Sequence, residues 1–388
     1  MARRTAFRRP SRRTLLVTAI VAAVGAPALA AGATALAASA SSAPPAGPGA
    51  TSSGSAASSG SAATPAASCK SQALPTLGGS NGNATATATN GDVVGVASDT
   101  AGVPQAVLWR AGKPQQIRTG LAGSVPADVN AHGEVVGSSP NGDGSVGWAW
   151  SAQRTVRLRG AGELTALPDA ISNSGVIAGA LETSEGTPGE GGGKPGTQET
   201  EQAAAWRSPT GPPQKLAPLP GDQGAHAFAI GDGGRIGGVS EGSVFRPVVW
   251  DQAGTPHQLP GLGGGYGAVR AFGPGGVAVG DAVAKDGTDH AVMWDASGQI
   301  TDLGLPAGSR IAQATGVLPG GVVVGTAQMP APGGGVVTQA VRWPASGQPQ
   351  MIDGQRTAVA DADSGQDAVG YRADAKGGRH PMMWRCGR

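Results

Sequence analysis

The sequence predicts an all-β protein, a seven-bladed β-propeller built from four-stranded blades. The 388 residues include 67 Gly and 30 Pro, and only 14% of them are charged, a composition typical of short strands joined by tight turns. From Cys69 onward two sequence anchors recur, and they mark units of 42 to 45 residues in all but one case. Four short strands in a unit of this length are typical of a propeller blade.

The first anchor is a strand start of the form Gly-x-x-x-Gly, as in GDVVG at residue 91 and GVVVG at residue 321. It occurs six times, and a looser seventh copy, QDAVG, ends at Gly370. Successive closing glycines lie 42, 42, 59, 42, 45 and 45 residues apart, and the excess in the third gap is too short for another unit. The closing glycines are Gly95, Gly137, Gly179, Gly238, Gly280, Gly325 and Gly370.

The second anchor is a short apolar stretch that ends in Trp, as in AVLW and PVVW. We predict that it forms the third strand of each unit and that the indole fills the space between neighbouring blades. Trp148 is the single Trp outside this pattern. The predicted blade anchors are Trp109, Trp150, Trp206, Trp250, Trp294, Trp343 and Trp384.

Each unit divides into four predicted strands. A strand of small residues, such as ATATATN, comes first and suits the crowded inner ring of a propeller. The Gly-anchored strand, the Trp strand and a Leu- or Ile-containing strand follow, separated by Gly-rich turns. An open solenoid and two stacked sandwiches are the alternative arrangements of such units.

The seventh unit ends at PMMWRCGR and lacks a fourth strand. The stretch SQALPTLGG near residue 71 is similar to the fourth-strand sequence HQLPGLGG, so we predict that the N-terminal strand completes the last blade and closes the ring. From Trp384 through Cys386 and Cys69 to Leu74 there are eight steps, and other units have eight to ten between the Trp and the next Leu or Ile. A Cys69–Cys386 disulfide would therefore replace the missing hairpin turn.

Residues 1–30 read as a signal peptide, with six arginines, an apolar run from Leu15 to Val24 and the cleavage pattern Ala28-Leu29-Ala30. The stretch SRRTLL resembles a twin-arginine export signal but lacks its Phe and Lys, so the general secretory route stays open. Residues 31–68 are rich in Ala, Ser, Gly and Pro and predict a disordered linker. Residues 69–388 form the predicted propeller of a secreted protein.

The net charge, the length of the apolar run and the spacing of His and Cys argue against several classes of function. Loss of the six N-terminal arginines changes the formal charge from +2 to −4, which argues against nucleic-acid binding. The apolar run is too short to span a bilayer core of about 30 Å, so we expect no membrane insertion of the mature chain. No His or Cys spacing suggests a metal site, and we expect no cofactor and a monomer.

Three stretches of the repeats, LPTLGGS at 74–80, NGDVVG at 90–95 and HAVMW at 290–294, share one pattern with known sequences. They resemble the repeats of the HAF-repeat family of secreted bacterial proteins, and the resemblance covers residues 74 to 384. The family's His occurs in register only at His290 and His380, and its Phe is replaced by Val, Ala or Met. A His-Ala-Phe at 226–228 is out of register, on a predicted first strand. The resemblance implies secretion and supplies no chemistry.

Two short motifs resemble catalytic or calcium-binding sequences, but ordinary strand ends and turns also explain them. GVSEG at 238–242 matches a nucleophile elbow around Ser240, but it lies at the end of a predicted second strand rather than on a strand-to-helix turn. DADSGQD at Asp361–Asp367 resembles the start of a calcium loop without its twelfth-position Glu, and it also aligns with ordinary turns of other units. We therefore predict no catalytic residue and no metal ligand.

The loops between second and third strands are the candidate binding face, because loops on a rigid scaffold commonly carry function. In the seventh unit this region holds Arg372, Lys376, Arg379 and His380. The third unit has a Glu-rich expansion at 181–202 whose composition also suits a disordered insertion. We predict a binding module for an unidentified protein or cell-wall polymer. A propeller enzyme acting on an extracellular polymer, a lyase or glycosidase, is the alternative.

Overall fold

The computed structural model describes residues 69–386, except for 143, 163, 184–200, 232, 346, 355, 363–364 and 366. The predicted signal peptide and linker lie outside the described residues, as does most of the Glu-rich loop. Within the described part the chain forms 28 strands and one 3₁₀ turn, Pro274–Gly276. The all-β prediction is confirmed.

Strands β2 to β17 form four separate antiparallel sheets of four strands each, and every sheet follows chain order. The first is β2 (Gly78–Thr87), β3 (Val93–Asp99), β4 (Pro104–Arg110) and β5 (Lys113–Gln116). The second is β6 (Val125–Val129), β7 (Val135–Asn141), β8 (Gly144–Ser151) and β9 (Arg154–Arg157). The third is β10 (Leu164–Ile171), β11 (Ile177–Thr183), β12 (Gln202–Trp206) and β13 (Gln214–Lys215), and the fourth is β14 (Gly224–Ile230), β15 (Ile236–Glu241), β16 (Phe245–Trp250) and β17 (Pro256–Gln258).

The other twelve strands form three antiparallel groups of four that are joined by two single parallel bridges, Asp289 to Ile311 and Gly316 to Ala362. The fifth group is β18 (Gly263–Phe272), β19 (Ala278–Ala284), β20 (Asp289–Trp294) and β21 (Ile300–Gly304). The sixth is β22 (Ile311–Leu318), β23 (Val322–Pro330), β24 (Val336–Trp343) and β25 (Gln350–Met351). The seventh is β26 (Thr357–Ala362), β27 (Asp367–Ala373), β28 (Arg379–Cys386) and β1 (Cys69–Ala73).

The N-terminal strand β1 pairs with β28, the last strand of the chain. The antiparallel register places Cys69 opposite Cys386 and Ala73 opposite Met382. The two cysteines form a disulfide across a sequence separation of 317 residues, so the predicted disulfide is confirmed. Within the described residues, none of the helical structure is long and apolar enough to cross a membrane.

The first strands of successive groups lie side by side, and β2 also lies against β26 and β28. Thr85 Oγ1 of β2 donates to Pro126 O of β6 at 3.0 Å, and Thr315 Oγ1 of β22 donates to Val359 O of β26 at 3.3 Å. Thr87 N of β2 donates to the Asp361 carboxylate of β26 at 3.0 Å. The first group therefore contacts both the second group and the seventh.

The closing glycines are explained by a close backbone approach. Each first strand contains an irregularity in register, a β-bulge, ten residues before the closing glycine of the next strand. A Cβ on any of the seven glycines would lie only 1.9–2.3 Å from a carbonyl oxygen of that first strand. Any larger residue would push the two strands apart at the bulge.

The predicted anchor Trp residues are buried between consecutive groups. Trp294, for example, packs in one cluster with Val249 and Leu259 of the preceding group. Six of the seven donate their indole N–H across that boundary, Trp294 to Pro260 O at 2.8 Å. In the second group the extra Trp148 donates to Ser139 Oγ at 3.0 Å, and Trp150 Nε1 has no hydrogen-bond partner among the described residues.

Candidate functional site

The first strands of successive groups lie side by side, and we call the surface formed by their seven bulged residues the axial channel. Each is at least partly exposed, although the residue before it in the strand is buried. The bulged residues are Thr85, Ala127, Asp169, Phe228, Arg270, Thr315 and Ala360. Three of them, Asp169, Phe228 and Arg270, come from adjacent strands and carry a charge or an aromatic ring. Together with His226 and Glu201 they form what we call the axial cluster.

His226 is held between two carboxylates at the centre of the axial cluster. Its Nδ1 lies 2.7 Å from Glu201 Oε2 and its Nε2 lies 2.9 Å from Asp169 Oδ2, and the side chain is 12% exposed. Burial alone would lower the pKa of the imidazole, but the two carboxylates outweigh it and raise the pKa well above the usual value. The ring is therefore an imidazolium that donates from both nitrogens, with neither nitrogen left for proton transfer.

Phe228 and Arg270 extend the axial cluster toward the fifth group. The rings of His226 and Phe228 stack with centroids 4.5 Å apart, and the Arg270 guanidinium lies 4.8 Å from the Phe228 centroid, a cation–π distance. Arg270 Nε donates to the buried Asp281 at 2.8 Å, and its Nη2 donates to the Tyr266 hydroxyl at 2.7 Å. The charge of Arg270 is thus neutralised by Asp281.

Two further carboxylates, Asp128 and Asp361, belong to the first strands of the second and seventh groups. Asp128 accepts backbone N–H bonds from Ile171 and Val129, each at 2.7 Å. Burial raises the pKa of Asp128 to about 8, and the negative charges of Asp361 and Asp169 add to the effect. Only strand β2 lies between the strands that carry Asp128 and Asp361, and the two carboxylates are close enough for the charge of Asp361 to act on Asp128.

Asp289, at the start of β20, repeats the position that Glu201 has in the third group. Each stands five residues before its anchor Trp, and each faces the first strand of the next group. Burial and the charge of Asp281 raise the pKa of Asp289 to about 8, although Arg270 opposes the shift. Asp289 Oδ1 is buried without a hydrogen-bond partner in the described part of the chain. This carboxyl is therefore protonated over much of the neutral range.

Aromatic side chains other than Trp concentrate beside the axial cluster. The rings of Phe245 and Tyr266 lie 6.0 Å apart in the fourth and fifth groups. Phe245 follows the loop between the second and third strands, where Val244 is 41% exposed. Two other exposed apolar residues hold equivalent positions, since Val103 lies in the loop between β3 and β4 and Val336 is the first residue of β24. The aromatic residues and the exposed valines therefore share the end of the strands that carries these loops.

The predicted binding residues all lie on the β27–β28 hairpin. Arg372 pairs with Asp353, and Arg379 lies with its guanidinium 4.4 Å from the Tyr371 centroid. His380 Nε2 lies 3.4 Å from Asp374 Oδ2, and the backbone N–H of Lys376 bonds to the same carboxylate. The structure brings the four residues together on one hairpin and places them outside the axial cluster.

The two short motifs GVSEG and DADSGQD belong to ordinary strands and turns of the sheets. Ser240 is fully buried in β15, where its hydroxyl donates to Asp222 at 2.6 Å and accepts from Leu219 N at 2.8 Å. In the calcium-like segment, Asp361 lines the axial channel and Asp367 pairs with Arg385. Residues 363, 364 and 366 of that segment lie outside the described residues. Within the described part, the His, Cys, Asp and Glu side chains form no group that could hold a metal.

A cavity of about 390 Å³ lies at the opposite end of the strands. It is lined by turns between first and second strands and between third and fourth strands, including Arg235, Asp251, His257 and Gly298. His257 is 60% exposed and pairs with Asp251 at 3.2 Å. The polar groups that line this cavity are mostly exposed. At the axial cluster, by contrast, the side chains of His226 and Arg270 are only 12% and 18% exposed and the pKa of His226 is raised well above its usual value, so we place the functional site there.

The sequence marks His226 only through the out-of-register His-Ala-Phe at 226–228, and its motifs do not single out Asp128, Asp169, Arg270 or Asp289. A usable signal existed in the repeats. The residue ten places before each closing glycine is the bulged one. The residue five places before the anchor Trp faces the next first strand in the third and fifth groups, at Glu201 and Asp289. Polar or aromatic residues at these positions, against a background of Ala and Thr, would have marked the axial cluster.

No protein-family model and no curated protein matches the chain. Among solved structures, the β-propeller domain of the Trilobed protease from Pyrococcus furiosus, which has an open velcro topology, matches with a TM-score of 0.51 and 10% identity over 78% of this chain and 95% of that one. Puromycin hydrolase matches with a TM-score of 0.52 and 16% identity over 77% of this chain, which spans only 51% of the hydrolase chain. The WD40 domain of Toxoplasma gondii coronin matches with a TM-score of 0.44 and 9% identity over 83% of this chain and 88% of that one. At 10% and 16% identity the likeness to the first two structures bears on the fold alone, and it makes the chain an all-β protein of the propeller type.

Proposed function

We propose that the chain is an exported, seven-bladed, closed β-propeller that binds a ligand at the mouth of its axial channel. The observation that carries the proposal is the axial cluster, in which Asp169, Glu201, His226, Phe228 and Arg270 from three successive groups converge on one interior space. Such convergence of polar and aromatic groups is typical of ligand sites. The ligand is a protein or a cell-wall polymer of the cell envelope.

Seven blades and ring closure are supported by strand pairing. Seven antiparallel groups of four strands follow one another, β2 lies against β26, and β1 adds to β28. Export is supported by the signal-peptide pattern of residues 1–30 and by the disulfide, since disulfides persist mainly in oxidising compartments. A binding role is favoured over acid–base catalysis by His226, because both of its ring nitrogens are engaged by carboxylates.

The test is capture of partners by the immobilised full chain from two sources, secreted protein and purified cell-wall polymer. We expect the wild type to retain material that His226→Gln and Phe228→Ala release. His257→Gln, on the opposite end of the strands, is the matched control and keeps the capture unchanged. The triple change Arg372→Ala, Arg379→Ala and His380→Ala examines the β27–β28 hairpin. Capture that survives both axial variants and fails with the triple variant would place the site on the hairpin.

A polymer-degrading enzyme is the second candidate, and Asp289 is the observation that favours it. The Asp289 carboxyl, which lies close to Arg270 and Asp281 and has a pKa of about 8, has the property expected of a general acid. The test is release of soluble fragments from purified cell-wall polymer. Fragment release by the wild type that falls at least about a hundredfold in Asp289→Asn would support the enzyme, and no release by the wild type would exclude it for that polymer.

A further inference from the structure

The outermost strand of the second group is rich in exposed arginine. Strand β9 begins with Arg154 and ends with Arg157, both exposed, and the exposed Arg159 follows two residues later. Arg118, at the end of the first group, lies beside them, because its carbonyl oxygen accepts a hydrogen bond from Thr155 Oγ1 at 3.4 Å. We call these four arginines the arginine patch. It lies on and next to an outermost strand, whereas the axial channel is formed by innermost strands.

The four side chains of the arginine patch make no hydrogen bond, ion pair or ring contact with the described residues. Every other described arginine donates a side-chain hydrogen bond, lies over an aromatic ring or lies beside a carboxylate. Arg110, for example, pairs with Asp92 at 2.6 Å in the first group. Guanidinium groups without internal partners keep all their N–H donors for an external anion.

The acidic residues nearest in sequence do not neutralise the arginine patch within the described part of the chain. Asp128 belongs to the innermost strand β6 and accepts two backbone N–H bonds. Glu134 Oε2 accepts a hydrogen bond from Asn130 Nδ2 at 2.7 Å. Positions 143 and 163 are the other acidic residues of this stretch, and they lie outside the described residues. The positive charge of the patch is therefore not compensated by a described carboxylate.

The surroundings of the arginine patch supply charge and no exposed rings. Between residues 101 and 223 the chain contains no Phe or Tyr. Nucleobases and sugar rings, which commonly bind by stacking on aromatic side chains, therefore have no platform here. The Trp residues of this stretch are all buried, namely Trp109, Trp148, Trp150 and Trp206.

We propose that the arginine patch binds a linear phosphate polymer without bases, a chain of polyol units joined by phosphodiesters. Each guanidinium can hold a phosphate group through two parallel N–H bonds. Neighbouring residues of a strand are about 3.3 Å apart, so the Cα atoms of Arg154 and Arg157 are about 10 Å apart. An extended polymer can reach successive arginines, and the simultaneous contacts raise its affinity above that of a single phosphate group. This surface is separate from the axial cluster, and the inference does not depend on the proposed function.

The experiment is titration calorimetry of the full chain with poly(glycerol phosphate) at several salt concentrations. Four neutralised phosphates predict that the logarithm of the association constant falls with the logarithm of the salt concentration with a slope of about −3. Glycerol 3-phosphate, the monomer, should not bind measurably. Failure of the polymer to bind, or binding that does not depend on salt, overturns the proposal. Equal binding of polygalacturonate or of oligothymidylate overturns the assignment to a phosphate polymer without bases.

A double variant locates the polymer on the arginine patch. Arg154→Gln with Arg157→Gln should weaken binding by about tenfold or more and reduce the slope to about −1.5, while the melting temperature stays the same because neither side chain has a partner. Arg310→Gln with Arg356→Gln is the charge-matched control. These two exposed arginines precede the first strands of the sixth and seventh groups, and their loss should leave binding unchanged. Equal losses in both double variants would show that net charge alone is responsible and would overturn the patch.

Arginines on an outermost strand could instead serve to prevent edge-to-edge pairing of two chains, since β9 pairs with β8 alone in the described part. That role predicts that the Arg154→Gln, Arg157→Gln variant self-associates in light scattering and that the wild type retains no polymer, a result that overturns the proposal. Arg118→Gln with Arg159→Gln removes the same charge outside the strand. A fall in affinity in this second variant, without self-association, supports the polymer site.

Discussion

Hydrogen bonding separates two Trp residues that look equivalent in the sequence. Trp294 Nε1 donates to Pro260 O at 2.8 Å, while Trp150 Nε1 is buried without a partner in the described part of the chain. The neighbouring Trp148, which is fully buried, makes the indole hydrogen bond in that group instead, to Ser139. Trp150 and Trp294 both fill space between neighbouring groups, but only Trp294 also hydrogen-bonds to the preceding group.

Substitution by Phe measures that difference directly. Trp294→Phe leaves the Pro260 carbonyl without its donor, whereas Trp150→Phe removes an N–H that has no partner. We expect Trp294→Phe to lower the free energy of unfolding by about 1–3 kcal/mol more than Trp150→Phe does. Urea unfolding followed by circular dichroism makes the comparison, and equal losses would show that the indole hydrogen bond contributes nothing.

The His226 ion pairs should make stability depend on pH. The pKa of His226 in the folded protein is well above its value of about 6.5 in an unfolded chain. The ion pairs of His226 therefore stabilise the fold fully below the unfolded pKa, and this stabilisation disappears as the pH rises through the folded pKa. We expect His226→Gln to lower the free energy of unfolding by about 3 kcal/mol at pH 6 and by progressively less at higher pH. His257→Gln, at an exposed pair, should cost less than about 1 kcal/mol at each pH. If the difference in free energy of unfolding between wild type and His226→Gln grew with pH instead, the raised pKa of His226 would be contradicted.

At the scale of the element, the bulge and the closing glycine form one device that is repeated in every group. A Cβ on Gly280 would lie 2.0 Å from Ala268 O, whereas a Cβ on Gly261 would meet nothing within 4 Å. Neither residue has the left-handed backbone conformation that favours glycine. The comparison therefore isolates the close approach of the two strands.

We expect Gly280→Ala to lower the free energy of unfolding by about 3 kcal/mol, because the opposing atom is backbone and cannot move aside cheaply. Gly261→Ala should change it by less than about 0.5 kcal/mol. Thermal and urea unfolding of the two variants provide the measurement. Equal behaviour of the two would mean that the strands separate at the bulge without cost.

The elements were more predictable than the site. Strand order, the all-β class and the disulfide follow from the anchors and from the unfinished seventh unit, because each depends on local spacing that the repeats display many times. The axial cluster depends on which side chains meet across three groups, and the spacing within one unit does not reveal that. His226 and Asp169 are 57 residues apart, and only a common frame for the repeats shows that both face the same interior.

At the scale of the whole molecule, the disulfide joins the two ends of the described chain. The chain-entropy model gives about 5–6 kcal/mol for closing a loop of this length, as an upper value because native strain and residual structure reduce it. We expect Cys386→Ser to lower the melting temperature and the untreated wild type to show no free thiol. Ellman titration of denatured, unreduced protein checks the second point. Two free thiols, or a variant that melts with the wild type, would contradict a stabilising disulfide.

The same pairing has a mechanical consequence. Tension along the chain that leads into Cys69 reaches Cys386 through a covalent bond before it loads any hydrogen bond of β1. Strand β28 is paired along its length with β27 on one side and β1 on the other, so the load is shared as shear by two ladders. If the protein is pulled through its N-terminal segment, the pairing of β1 with β28 should therefore resist separation. A reducing agent, by breaking the disulfide, should lower the force at which β1 separates from β28.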